Sequence, residues 1–339
     1  MDHKFDETRD GFQAIRFDGE VLHLLDQRLL PAKEVWLSCG DIAQAGQAIT
    51  DLVVRGAPAI GITAAYATVL SARARGDDLK AWHQDLNVLE QARPTAVNLS
   101  WAVNQMRALV REAGELNAQA LLARAVQIHR EDIEANRAMA KAGSAVIEAG
   151  SGVLTHCNTG SLATGGIGTA LGVVVEGYRA GRIARVFADE TRPWFQGSRL
   201  TAWELARAQV PFQVLVEGAA AALMAVGKVQ WVITGADRIA ANGDVANKIG
   251  TYAAAVVARH HGAKMMVVAP STTLDPDMPS GEGIEIEQRD PSEIWRAAGI
   301  SDVPDGFSAW NPVFDVTPAG LVDCIVTEQG VWQPPYDFS

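Results

Sequence analysis

Reactive side chains follow short apolar runs at three places after residue 150 of the sequence. Cys157 follows the run that ends at Leu154, a charged segment over residues 189–192 follows a second run, and Asp237 follows the run Trp231–Thr234. Short apolar runs bounded by glycine and polar residues predict buried β-strands. Parallel strands end at one edge of their sheet, and open α/β sheets bind ligands at that edge. The sequence therefore predicts that a thiol and several charged groups share one rim.

Cys157 and Asp237 are the candidate catalytic residues. A thiol beside helix N-terminal amides and a cation is expected to be partly thiolate. Partial burial after Trp231–Thr234 is expected to raise the pKa of Asp237, so that its carboxyl group carries a proton near neutral pH. The alternatives are a buried cysteine that acts as a small hydrophobe and a turn aspartate that caps the loop 238–244. His156 is interpreted as a hydrogen-bonded core histidine rather than a catalyst.

Other segments supply candidate ligand-binding residues. Arg55-Gly56-Ala57-Pro58 precedes an alanine-rich helix, and its uncovered amides beside an arginine predict an anion site. Lys248, with Asn247 before it at the start of a helix predicted over residues 247–260, is a candidate phosphate ligand. Gln196 and Arg199, in a glycine-containing loop, are candidates for binding hydroxyls or anions. A packing turn and solvated side chains are the alternatives at these positions.

Hydrophobic periodicity indicates the elements that position these residues. From Val153 onward, apolar strands alternate with helices, which predicts a parallel sheet covered on both faces. Before that point, a hairpin around Asp18-Gly19 precedes several helices, the last over residues 118–149. The predicted fold class is α/β, with a mostly helical N-terminal domain that contains a small β element (residues 1–130). A Rossmann-like parallel-sheet C-terminal domain follows (residues 131–339), with its last strand over residues 324–327.

Composition argues against several classes of protein. The chain has 339 residues and a formal net charge of −11, which disfavours nucleic acid or an anionic membrane as its main partner. Its three cysteines are too widely spaced for a zinc motif or a disulfide framework. The charged N-terminus lacks the apolar core of a signal peptide, and no apolar run approaches the roughly 20 residues that span a bilayer. We therefore expect a cytoplasmic protein.

A glycine-rich segment after the first predicted strand raises the alternative of a dinucleotide-dependent dehydrogenase. Gly166 and Gly168 begin a Gly-x-Gly-x-x-Gly spacing, but Leu171 stands in place of the third glycine. Asp189 would then be the ribose ligand. The segment 158–165 is too long for the tight phosphate-binding turn, so this interpretation is not favoured.

Six motifs, in the same order, resemble the methylthioribose-1-phosphate isomerases. They are Arg55-Gly56-Ala57-Pro58-Ala59-Ile60-Gly61, Arg93-Pro94-Thr95-Ala96-Val97-Asn98-Leu99, Thr155-His156-Cys157-Asn158, Glu190-Thr191-Arg192-Pro193 with Gln196-Gly197, Gly235-Ala236-Asp237-Arg238, and Asn247-Lys248-Ile249-Gly250-Thr251. The wider superfamily includes ribose-1,5-bisphosphate isomerases and regulatory subunits of a translation-initiation exchange factor. The presence of both Cys157 and Asp237 separates this sequence from the regulatory subunits.

The resemblance implies conversion of 5-methylthioribose 1-phosphate to 5-methylthioribulose 1-phosphate in methionine salvage, without a metal or other cofactor. Asp237 is expected to protonate the ring oxygen. Cys157 is expected to assist hydrogen transfer from C2 to C1, by an enolate route or a hydride shift. The substrate's phosphate and hydroxyls are expected to be bound by Arg55, Gly56, Ala57, Arg93, Gln196, Asn247 and Lys248. A homodimer is implied, and the alternatives are a ribose-1,5-bisphosphate isomerase or a non-catalytic, ligand-sensing regulatory subunit.

Overall fold

The structure is a computed structural model that describes residues 11–94 and 96–338. The N-terminal segment on which the expected absence of a signal peptide rests lies outside these residues, as does Thr95 of the second motif. The described residues form two compact units. The first contains the residues up to Glu134 together with Ser161–Gly168, and the second contains Ala135–Gly160 and the residues from Thr169 onward. The predicted domain boundary, after residue 130, lies near this division.

The first unit combines a small antiparallel sheet with helices. Its strands are β1 (Ile15–Phe17), β2 (Leu22–Leu25) and β3 (Trp36–Cys39), and its helices are α1 (Ile42–Thr50), α2 (Ala57–Arg75), α3 (Leu79–Glu90), α4 (Val97–Ala113) and the first part of α5 (Ala118–Val146). The predicted hairpin between β1 and β2 is confirmed. Asp18 Oδ1 accepts hydrogen bonds from the amides of Glu20 and Val21 (2.9 and 2.8 Å) and so closes the turn. Strand β3, which was not predicted, pairs with β2.

Helix α2 lies at the centre of this unit, and its residues from Ala59 to Ala72 are buried. Small side chains explain how so much of one helix can be covered. A Cβ atom on Gly61 would lie 2.9 Å from the carbonyl oxygen of Asn98 in α4, so the two helices approach at a position without a side chain. The alanine-rich composition of α2 is therefore a packing feature.

A seven-stranded sheet forms the centre of the second unit. The strands of this unit are β4 (Ser151–Thr155), β5 (Ile183–Asp189), β6 (Phe212–Leu215), β7 (Trp231–Thr234), β8 (Arg238–Ala240), β9 (Val245–Lys248), β10 (Lys264–Val268), β11 (Leu274–Asp275), β12 (Phe314–Thr317), β13 (Cys324–Thr327) and β14 (Gly330–Trp332). Its helices, after the end of α5, are α6 (Ala170–Arg179), α7 (Ala202–Arg207), α8 (Ala220–Ala225), α9 (Thr251–His261) and α10 (Glu293–Arg296). The order in the large sheet is β14-β13-β10-β7-β4-β5-β6, and only the edge strand β14 is antiparallel to its neighbour.

Both faces of this sheet are covered, as predicted. Successive residues of a strand point to opposite faces. Val153 and Ile233 belong to one apolar core, to which α6 contributes, and Leu154 and Val232 belong to another, to which α9 contributes. The predicted α/β class, with a helical N-terminal part and a Rossmann-like parallel sheet, is confirmed.

A second, four-stranded sheet has the order β11-β8-β9-β12 and was not predicted. One of its strands contains Asn247, so the prediction that a helix starts at this residue was wrong. Val245–Lys248 is strand β9, which pairs antiparallel with β8 and β12, and α9 begins only at Thr251. The final strand predicted over residues 324–327 is confirmed as β13.

Within the described part of the chain, no helix is both long and apolar enough to cross a membrane. The three cysteines are free thiols, with Cys39 and Cys324 buried and Cys157 half-buried.

Candidate active site

The predicted rim exists at the carboxyl ends of β7, β4 and β5, which are neighbours in the sheet. Cys157 follows β4, the charged segment begins at the end of β5, and Asp237 follows β7. The turns after β4 and β7 also pack closely. A Cβ atom on Gly235 would lie 2.8 Å from the Thr159 methyl group, so only a glycine fits there without movement of its neighbour.

The backbone of Cys157 is fixed on both sides. Its amide donates to Thr191 Oγ1 (2.8 Å), and its carbonyl oxygen accepts from Thr201 Oγ1 (2.6 Å). The residue has φ of 62°, in the left-handed region that non-glycine residues rarely occupy. Thr191 itself has φ of 61°. Two hydroxyl groups therefore hold the half-buried thiol in an unusual backbone conformation at the rim.

Asp237 is exposed, and the expectation of a partly buried carboxyl group was wrong. The apolar run that precedes it is buried in the sheet, but the chain leaves the sheet at Gly235, before the carboxylate. The Asp237 amide donates to the carbonyl of Ala246 (2.9 Å), which ties this turn to β9. The following residue, Arg238, pairs with Asp275 (3.5 Å).

His156 is completely buried and hydrogen-bonded, as predicted, but its partners raise its pKa, which was not predicted. Nδ1 lies 2.8 Å from Asp189 Oδ2, and Nε2 lies 2.9 Å from the carbonyl oxygen of Ile249. Burial opposes the charged ring, but the nearby carboxylate of Asp189 outweighs it and raises the pKa of His156 to about 9. Asp189 is 1% exposed and bonded to this ring, so it cannot serve as the ribose ligand of a dinucleotide site.

Two further carboxyl groups near His156 were missed by the sequence analysis. Glu217 follows the end of β6, so it carried the same strand-end signal as Cys157. Its Oε2 accepts from the Arg192 amide (2.9 Å), and burial raises its pKa. Asp315, on β12, accepts from the amides of Gly250 and Tyr252 at the start of α9, and burial raises its pKa as well.

His156, Asp189 and Glu217 each offer a ligand atom within 4.8 Å of the others, the spacing of a metal site. Metal-binding histidine coordinates through a ring nitrogen that carries no proton. Both ring nitrogens of His156 face oxygen acceptors instead. The cluster is therefore arranged as an ion-pair network and does not fit a metal.

Asn247 and Lys248 lie on β9 rather than at a helix start. Asn247 is buried, and its amide donates to Thr251 Oγ1 (2.9 Å). The Lys248 ammonium group donates to the carbonyl of Val313 (2.9 Å) and lies 4.5 Å from the centre of the Phe314 ring. Both side chains are thus held by β12 and α9.

Gln196 precedes the single π-helical turn Gly197–Thr201, which leads into α7. Its Oε1 atom is buried and accepts no hydrogen bond from the described residues. Arg199, which lies in that turn, donates to the carbonyl of Trp194 (3.1 Å). Of these two side chains, Gln196 is the stronger candidate for a ligand contact.

The remaining candidates belong to the first unit. Gly56 precedes α2 with φ of 94°, and a Cβ atom there would lie 2.6 Å from that of Ala163. Close packing against Ala163 therefore explains why residue 56 is a glycine. Ala57 is the first residue of α2, and Arg55 and Arg93 are half-buried.

These features define a class of protein. A parallel sheet with both faces covered carries a half-buried thiol, an exposed carboxyl group and a buried imidazole on one rim, which suits proton transfer on a small ligand. Residues 53–334 match the initiation factor 2 subunit family, and the chain belongs to that family.

Relatives of known name are similar over almost the whole chain. Methylthioribose-1-phosphate isomerases of Thioalkalivibrio sulfidiphilus and Alkalilimnicola ehrlichii are each 54% identical, over 96% and 95% of this chain and 95% and 94% of theirs. The crystal structure of 5-methylthioribose 1-phosphate isomerase from Pyrococcus horikoshii OT3 superposes with a TM-score of 0.91 at 38% identity, covering 99% of this chain and 97% of that one. A structure named translation initiation factor eIF-2B, subunit delta, from A. fulgidus gives a TM-score of 0.85, also at 38% identity, and covers 96% and 97%. The predicted resemblance to the isomerases is confirmed.

Proposed function

We infer that this protein isomerises 5-methylthioribose 1-phosphate to 5-methylthioribulose 1-phosphate, a step of methionine salvage. Two relatives with this name are 54% identical over 96% and 95% of the chain. The structural observation that carries the inference is that Cys157 and Asp237 follow the adjacent parallel strands β4 and β7. A thiol and a carboxyl group on one rim are the two groups that the reaction requires.

The chemistry follows from the substrate. Phosphate blocks the anomeric oxygen, so the ring cannot open spontaneously to an aldehyde. The bond between C1 and the ring oxygen must break while that oxygen takes up a proton. One hydrogen then moves from C2 to C1, and the C2 hydroxyl loses its proton as it becomes the carbonyl. The proton gained by the ring oxygen and the proton lost by the C2 hydroxyl balance.

Asp237 is the acid for the ring oxygen in this proposal, and its exposed position leaves it accessible to a substrate. Cys157 assists the hydrogen transfer, either as the base that removes the C2 proton or as the group that stabilises the charge developing there. Its fixed backbone means that the thiol need not be repositioned during the reaction.

Substrate binding is assigned to the residues that match the family motifs. The buried, unpartnered Oε1 of Gln196 suits a donating sugar hydroxyl. Asn247 and Lys248 are held in place by neighbouring elements, as a pre-organised site requires. Arg55 and Arg93, with the amides of Gly56 and Ala57, are proposed to bind the phosphate.

A homodimer in the cytoplasm completes the proposal. Three free thiols suit a reducing compartment, and the dimer is what the family resemblance implies. Light scattering coupled to size exclusion gives the mass directly, and a monomer would contradict the dimer.

An isomerase assay on the purified chain tests the proposal. 5-Methylthioribose 1-phosphate should be turned over. Ribose 1,5-bisphosphate is assayed separately, and faster turnover of that substrate would indicate a ribose-1,5-bisphosphate isomerase instead. The similarity to the A. fulgidus protein keeps a ligand-sensing subunit as the second candidate. Binding of sugar phosphate without turnover would favour that candidate.

A further inference from the structure

The side chain of His156 connects three of the family motifs, two of them through a closed ring of hydrogen bonds. It bonds to Asp189, whose Oδ1 accepts from the Thr191 hydroxyl (2.6 Å), and that hydroxyl oxygen accepts the Cys157 amide. His156 and Cys157 are consecutive in the chain, so the ring closes. The other ring nitrogen reaches the carbonyl of Ile249, beside the Asn247-Lys248 motif.

The hydrogen bonds of this ring, together with the adjacent carboxyl group, determine its protonation. A backbone carbonyl only accepts, so Nε2 must carry a proton. The Thr191 hydroxyl accepts from the Cys157 amide, so its own proton is donated to Asp189 Oδ1. Nδ1 and Asp189 Oδ2 lie 2.8 Å apart and share one proton, and the raised pKa of His156 places that proton on the ring. His156 with both ring nitrogens protonated is an imidazolium ion.

We propose that His156 is a positioning residue of the isomerase, a buried imidazolium that holds the Cys157 backbone and places a permanent positive charge beside its thiol. The charge favours thiolate, or any negative charge that develops on the substrate near Cys157. This role rests on the proposed function for its catalytic consequence. The charge state and its effect on the thiol do not depend on that function.

Several other titratable groups surround the ring. Asp189 lies at the end of β5, Glu217 follows β6, and Asp315 lies on β12 beneath the start of α9. Glu190 raises the pKa of Glu217, and Lys248 lowers that of Asp315. Cys157 also interacts electrostatically with the ring. Glu217 and Asp315 have raised pKa values because they are buried, whereas His156 has a raised pKa because of Asp189. The arrangement favours one cation paired with one carboxylate.

The charge state can be measured without any activity. In protein labelled with ¹⁵N-histidine, both ring nitrogens of His156 should carry protons at pH 7 and should titrate near the pKa of about 9. The signals of His156 are identified as those that are missing from the spectrum of His156→Gln. A neutral ring at pH 7 would overturn the proposal even if the variants fold poorly.

Alkylation of Cys157 tests the effect on the thiol. Burial raises the pKa of Cys39 to about 11 and that of Cys324 to about 12, so Cys157 should dominate the reaction below pH 9, and Cys157→Ser provides the background. In His156→Gln and Asp189→Asn, the midpoint of the rate profile should move up by about one pH unit or more. His129→Gln is the matched control, because His129 is also buried but belongs to the first unit, and its profile should not move.

Kinetics complete the test. Thr191→Val removes the hydroxyl at constant shape, so it should leave the alkylation midpoint in place and lower kcat. His156→Gln should lower kcat by about tenfold or more with little change in KM. An unmoved alkylation profile in His156→Gln, or an equal loss in His129→Gln, would make His156 merely structural. A wild-type chain without isomerase activity would refute the proposed function, while the spectrum and the alkylation profile would still decide the charge.

Discussion

Three non-glycine residues of the rim have left-handed backbone conformations: Cys157, Thr191 and Phe195. Each such conformation costs roughly 1–2 kcal/mol, and it persists where surrounding contacts enforce it. Around Cys157 those contacts are the hydroxyls of Thr191 and Thr201. Part of the backbone strain therefore lies at the proposed reactive thiol, where a fixed geometry is useful to catalysis.

Replacement of the proposed catalytic side chains should abolish most turnover without unfolding the chain. Cys157→Ser and Asp237→Asn are close in volume to the wild type, and each should lower kcat by about two orders of magnitude or more. Steady-state kinetics with circular dichroism as the folding control checks this. A variant that retains near wild-type kcat would remove that residue from the mechanism.

Arginine geometry should matter at positions 55 and 93. Arg55→Lys and Arg93→Lys keep the charge but lose the planar fork that binds phosphate at two points, so KM should rise about tenfold, equivalent to about 1.4 kcal/mol. Arg75→Lys is the control, because Arg75 is engaged by Asp85 at the end of α2 (2.9 Å). Equal KM values in all three variants would mean that Arg55 and Arg93 are structural.

The sequence predicted which residues lie at the strand ends, but it did not predict how exposed those residues are or which distant residues contact them. Cys157, the charged segment and Asp237 were placed on one rim because parallel strands end together. The burial of Asp237 was wrong because apolar neighbours in a strand do not determine the exposure of the turn that follows. Asp315 was missed because its partners at the start of α9 are about 65 positions away in the chain, and such a pairing leaves no local pattern.

At the scale of elements, the start of α9 is the part of the site that sequence predicted least well. The predicted helix starts at Asn247, whereas Asn247 and Lys248 belong to strand β9. Its strand partners, β8 and β12, override the local sequence preference. The helix begins instead after Gly250, whose φ is 103°, and Asp315 accepts two amide hydrogen bonds there.

Gly250 should tolerate substitution much less well than Gly262 at the other end of α9. Both have positive φ, so alanine at either costs roughly 1–2 kcal/mol. A Cβ atom on Gly262 meets open space, whereas one on Gly250 would collide with Glu217 and lie 2.8 Å from His156 Cε1. Overpacking should add roughly 1–3 kcal/mol to the loss of unfolding free energy in Gly250→Ala. Chemical denaturation of both variants measures the difference, and equal losses would show that the neighbouring side chains move aside freely.

At the scale of the whole molecule, the buried pair of His156 and Asp189 should make stability depend on pH. The pKa of His156 rises from an ordinary value of 6.5 to about 9 in the folded chain, because the adjacent carboxylate outweighs burial. Between these values the folded state binds the proton that the unfolded state releases. Stability from this group is therefore fully present below pH 6.5 and is lost as the pH rises to about 9.

Few other groups with a resolved shift interfere in that window. Burial lowers the pKa of His129 to about 4, so its effect on stability is complete by pH 6.5. Burial raises the pKa of Cys39 to about 11 and that of Cys324 to about 12, so the titration of these folded-state thiols changes stability mainly above pH 9. The free energy of unfolding should fall by roughly 1–3 kcal/mol between pH 6.5 and 9 in the wild type, since one pKa unit corresponds to about 1.4 kcal/mol. Urea denaturation across this range measures the slope. His156→Gln should flatten it and His129→Gln should not, and a wild-type curve already flat over this range would mean that the buried ring is neutral.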